Sequence, residues 1–197
     1  MDTCDRSTLA RQLCGAMLAP TVFEDASHGL FLLTSDAAVT GFVGSELCDG
    51  FEGAGATVIH LTMADVARGE LWSAIAASVG RMMAAQTVDL AHESAACDRL
   101  PLLYGLQRLQ RVSNRAVILM LDGVEHLTQD VHPDDWAAMF SLKSARDQMN
   151  RPGLCRLGLI MSSQSEDALA RLVRSNASPF YGSSVRRLTL GRDLKAA

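Results

Sequence analysis

Lysine is nearly missing from this chain. There are two, Lys143 and Lys195, neither follows a glycine, and the first 142 residues hold none. That excludes a Gly-Lys-Ser/Thr turn anywhere ahead of the apolar run that ends at Asp122. Clustered positive charge is missing too: the bases are otherwise arginines, scattered apart from Arg186-Arg187, and the net charge is −4. Neutralising nucleic-acid phosphates needs clustered cations, so nucleic acid is not an expected partner. The five cysteines, Cys4, Cys14, Cys48, Cys97 and Cys155, form no C-x-x-C pair, which excludes a zinc ribbon or a thioredoxin-like redox site. They read as reduced thiols packed as small hydrophobes. No stretch approaches the roughly 18 apolar residues of a membrane span. Asp2, Asp5 and Arg6 stand where a secretory leader would start with basic and then apolar residues. The expectation is a cytoplasmic protein with no membrane contact.

What is present reads as one globular domain over residues 1–197, with an N-terminal helix in 1–20 and an α/β core over 28–194. At 197 residues and 48% hydrophobic, the chain can bury roughly 70% of the surface its unfolded form exposes. Short apolar runs alternate with longer helical periods, the pattern of βα units. Leu9, Leu13, Ala16 and Met17 predict a helix over 7–18 with Ser7 as its cap and Pro20 beyond its end. Strands are expected at Gly29–Thr34, Ala56–Leu61, Ala116–Asp122, Leu157–Met161 and Val185–Leu190. Helices are expected near 43–52, over 65–86, from a cap at Asp98 and Pro101 through Val112, near 134–149 and over 165–175. Leu71, Ile75 and Val79 make the buried stripe of the second of these, and core packing is expected for Trp72, Met82 and Met83. The fold class is therefore α/β, a three-layer doubly wound and mainly parallel sheet of about five strands. Ligands of such sheets bind at the carboxyl ends of the strands, which singles out the positions after Thr34, Asp122 and Met161.

Three stretches in this order, Leu32–Ser45, Val117–Leu127 and Leu157–Leu169 followed by Pro179-Phe180-Tyr181, resemble the P-loop ATPase core of the AAA+/STAND type found in bacterial and archaeal ATP-binding proteins. The resemblance covers roughly residues 20–194 and implies a phosphate-binding loop, an acid positioning Mg²⁺, and a polar sensor strand. Carried over residue by residue, Thr40 and Gly41 match the end of the loop. Phe42 then falls at the position of the phosphate-binding lysine and Val43 at that of the Mg²⁺-binding hydroxyl; the first loop glycine falls on Ser35 or Asp36. A register using Gly44-Ser45 supplies no cation either. Asp122 matches the metal-positioning acid, while Gly123 stands where the family places its water-activating glutamate and Glu125 lies two residues further on. Ser162, Ser163 and Ser165 match the sensor turn. Phosphoryl transfer depends on positioning and charge stabilisation, so the resemblance implies a non-hydrolysing pseudo-ATPase with vestigial nucleotide-binding positions at Thr40, Gly41 and Asp122.

No catalytic residue, cofactor or metal is expected on that reading, and ATP with Mg²⁺ enters only under the alternative, a residual ATPase that uses another cation for phosphate. A nucleic-acid-associated regulator is the further alternative. The expected partner is another protein, an active ATPase relative among the candidates, with self-association open. Phe42 and Val43, apolar at the tip of a ligand loop, read either as filling the vacated pocket or as facing that partner. Asp122 without its companions reads as the cap of a following turn. The polar run Glu125, His126, Asp130, His132, Asp134 and Asp135 reads as a solvated loop, and Ser162 to Asp167 as a loop with a serine cap opening a helix.

Overall fold

In the computed structural model the described residues are 3–18, 29–34, 41–86, 102–151 and 154–188. Five strands form one sheet: β1 (Gly29–Thr34), β2 (Thr57–Thr62), β3 (Val117–Asp122), β4 (Leu157–Ser163) and β5 (Val185–Leu188). Their order is β2-β3-β4-β1-β5 and every pairing is parallel. The continuous apolar runs of β1, β3 and β4 are what such a sheet requires, because helices cover both of its faces. Alternation along each strand then assigns side chains to two cores.

On one face, Phe31, Leu33, Leu119, Leu121, Leu159 and Met161 pack against α3 (Leu71–Gln86), α4 (Leu102–Ser113), α6 (Pro133–Met149) and α7 (Glu166–Val173). On the other, Leu32, Ile118, Met120 and Ile160 meet α1 (Thr3–Leu18) and a helical segment that opens as a π turn, Val43–Leu47, and continues as α2 (Cys48–Gly53). The result is the three-layer, doubly wound arrangement expected.

The element boundaries shift in informative ways. The first helix starts at Thr3 and not at Ser7, which lies inside it. The segment predicted as helical over 65–86 is helical from Leu71, after a single 3-10 turn at Met63–Asp65. Its start is fixed from outside: Asp135, on α6, accepts the N–H of Gly69 at 2.8 Å and of Leu71 at 3.1 Å. Asp135 is 4% exposed, so it does not belong to a solvated loop. The rest of that run is also more ordered than expected, since Glu125–Thr128 forms a short helix, α5. Met83 is buried, with Trp72 and Met82 packed against the same core. The predicted cap at Asp98 and Pro101 lies outside the described residues, as does the end of the strand predicted to reach Leu190.

Candidate functional site

The carboxyl ends of β3, β4 and β1 and the start of the π turn bound the site. Register places Thr62, Asp122, Ser162 and Leu32 side by side across four strands, and one step back His60, Met120, Ile160 and Leu30. Paired residues of parallel strands face the same way. Asp122 and Ser162 therefore continue the face that carries Met120 and Ile160, beneath the π turn and α2.

Phe42 and Val43 are 0% and 1% exposed, inside the core shared by α1, α2 and the sheet. Of the two readings left open for them, facing a partner does not fit this placement: both side chains point inward and are covered. Gly41 opens the helical segment, and Ser45 Oγ donates to its carbonyl at 2.6 Å. Glu46 accepts from Ser45 and from Arg6 Nη1, the latter at 3.1 Å, so α1 is tied to the turn. The Ser45 hydroxyl first, then a backbone hydrogen bond and Arg6, hold the Glu46 carboxyl below its usual range against the opposing effect of burial. Thr40, with Ser35 and Asp36, lies outside the described residues. Across from the turn, His60 Cε1 would be 3.4 Å from a Cβ added to Gly44, so β2 approaches the helix closely there. Cys48, one turn further, has its Sγ 3.5 Å from Met120 Sδ. Burial first, then the charges of Glu52, Asp49 and Asp122, push its thiol up to about 11. The charges acting on that thiol are all negative.

Asp122 is 7% exposed and accepts from Ser162 Oγ, itself 0% exposed. The acid thus reaches across the sheet and does not cap the turn that follows it. Gly123 has φ 78°, a left-handed conformation that costs a side-chain-bearing residue roughly 1–2 kcal/mol. The chain turns sharply here, and an added Cβ would also stand 3.4 Å from His126 Cδ2. Glu125, carried round by that turn, accepts from Ser163 Oγ at 2.6 Å. Ser162 and Ser163 end β4 and are not loop residues. Ser165 does cap α7, accepting the Ala168 N–H at 3.2 Å. Among the described residues no group of three or more His, Cys, Asp or Glu side chains could hold a metal ion.

Solved structures of other proteins share this fold. A Walker-type ATPase of Pyrococcus abyssi, paby2304, superposes over 93% of this chain with a TM-score of 0.62 at 17% identity. The fold is that of the P-loop NTPases. The ORC2 protein of Aeropyrum pernix, in its ADPNP–ADP complexes, matches 83% of this chain with a TM-score of 0.56 at 14% identity. The chain spans 52% and 41% of the lengths of these two proteins. No protein-family model and no curated protein matches it. No helix among the described residues is long and apolar enough to cross a membrane.

The sequence missed the hydroxyl partners of the two acids. Two adjacent serines ending an apolar run were the available signal, since a buried strand accommodates hydroxyls only where acceptors meet them.

Proposed function

We propose that this P-loop-type domain is a cytoplasmic pseudo-ATPase: it does not hydrolyse nucleotide and works as a regulatory or scaffolding element through contacts with another protein. An active ATPase relative, to which such a domain could be matched in shape, is the partner class that best suits the reading. The observation that carries it is the burial of Phe42, the residue aligned with the phosphate-binding lysine, in the apolar core beneath α1. Three further features support it. Val43 occupies the metal-hydroxyl position, Gly123 turns the chain away at the glutamate position, and the acids Glu52, Asp49 and Asp122 act on Cys48. A triphosphate brought to these acids meets repulsion, and partly dry surroundings strengthen it.

The decisive experiment is calorimetric titration with ATP·Mg²⁺ and ADP·Mg²⁺ alongside a phosphate-release assay. Neither binding in the micromolar range nor turnover is expected; either one would overturn the reading.

A second reading has one observation in its favour. Arg6 places a guanidinium on Glu46, in the helical segment that begins at Gly41, which offers a cation to a residual nucleotide site. If it serves that purpose, Arg6→Ala abolishes whatever nucleotide binding the titration detects.

A further inference from the structure

Two hydroxyl–carboxylate pairs bridge the ends of β3 and β4. Ser162 Oγ donates to Asp122 Oδ1, and one residue on, Ser163 Oγ donates to Glu125 Oε2 at 2.6 Å. Successive strand side chains alternate in direction, so the two pairs lie on opposite sides of the sheet. Between them the N–H groups of Gly123 and Val124 both donate to the Ser162 carbonyl at 3.0 Å. The whole Gly123 turn is thereby hung on the last residues of β4. Asp122 is buried and Glu125 half-buried, and carboxylates taken out of water ordinarily have a cation or several donors as partners. Among the described residues, neither Asp122 nor Glu125 enters an ion pair.

We propose that these pairs form a clasp, an internal substitute for a bound divalent cation, which ties the β3 turn to β4 and leaves the sheet end structurally complete without a metal. Hydroxyl donors do here what a cation's charge would otherwise do, and charge-assisted hydrogen bonds of this kind are shorter and stronger than neutral ones. The clasp goes beyond the pseudo-ATPase reading, because it stands on the hydrogen bonds alone.

Its test is a pair of double-mutant cycles on urea unfolding of the full chain, in chelator-treated, nucleotide-free buffer. Ser162→Ala and Asp122→Ala are each expected to lower the folding equilibrium constant about tenfold, or about 1.4 kcal/mol. The double variant should be little worse than either single one, and Ser163→Ala with Glu125→Ala should couple in the same way. Amide exchange should speed up at Gly123 and Val124 in Ser162→Ala, with α4 unchanged. Should Ser162→Ala fail to fold, the Ser163–Glu125 cycle decides alone. Additive losses within the pairs, or unchanged protection of the turn, overturn the clasp. So does a wild-type thermal midpoint raised by millimolar Mg²⁺ when that of Asp122→Ala is not. Nucleotide is absent throughout, so these outcomes are separate from those that decide the pseudo-ATPase reading.

Discussion

At Phe42 a single side chain separates two ways of using the same turn. An ammonium there would have to reach outward to phosphate, whereas the benzyl group fills space between α1, α2 and the sheet. Phe42→Ala should therefore cost about 3–5 kcal/mol, the range for emptying a buried aromatic site. Phe42→Lys should cost at least as much, because a charge left in an apolar core is strongly unfavourable, and it should bring no affinity for ATP. Urea unfolding and calorimetry on the two variants check this; a Phe42→Lys protein that keeps wild-type stability would contradict the assignment. Gly123 poses the matching obstacle on β3. Its left-handed backbone means that writing a glutamate into the sequence there would strain the turn before it could supply a base.

Among the elements, α6 organises its neighbours more than its own pattern suggests. Asp135 satisfies two backbone donors at the start of α3, and Asn150, just past the end of α6, joins the start of β4. Its Nδ2 donates to the Leu157 carbonyl at 2.7 Å, and its Oδ1 accepts the N–H groups of Arg156 and Leu157 at 2.7 and 2.9 Å. Removing the Asp135 acceptor leaves the buried Leu71 N–H and the half-buried Gly69 N–H unpaired, about 1–3 kcal/mol for each group kept from water. Asp135→Ala is thus expected to destabilise the domain by about 2–4 kcal/mol, with faster amide exchange at Leu71, the first residue of α3. Loss of less than half a kilocalorie would show that the contact is incidental. The Asp134-Asp135 pair read in sequence as ordinary solvated charge because nothing local distinguishes the two acids. Asp134 is exposed and Asp135 buried, and the difference is set by which of them faces α3.

For the molecule as a whole, buried thiols set a limit on alkaline stability. Burial pushes Cys14 up to about 11 and Cys155 up to about 12 from an ordinary value near 9, and Cys48, with neighbouring acids adding to burial, also reaches about 11. Each folded value lies above the unfolded one. The stability these thiols contribute is therefore complete below pH 9 and is lost as pH rises towards 11 and 12, because the unfolded chain releases its protons first. Unfolding midpoints measured on either side of pH 9 should fall on the alkaline side, and Cys155→Ala should lessen that fall. An alkaline loss identical in the variant would remove the thiol from the account.

Apolar periodicity by itself determined the class of this molecule. The runs at 29–33, 117–121 and 157–161 are short and continuously apolar, as strands covered on both faces are, and the near absence of lysine was enough to question the phosphate turn. Both are local properties of composition and spacing. Other features depend on residues far apart in the chain coming into contact, and these only the tertiary structure decided. β4 inserts between β1 and β3, which brings Ser162 to Asp122 and Ser163 to Glu125. α1 closes over Phe42 and Val43, turning a candidate contact surface into core. Hydrogen bonding and burial across forty residues of intervening chain leave no periodic trace in the sequence, and at these positions they override the local pattern.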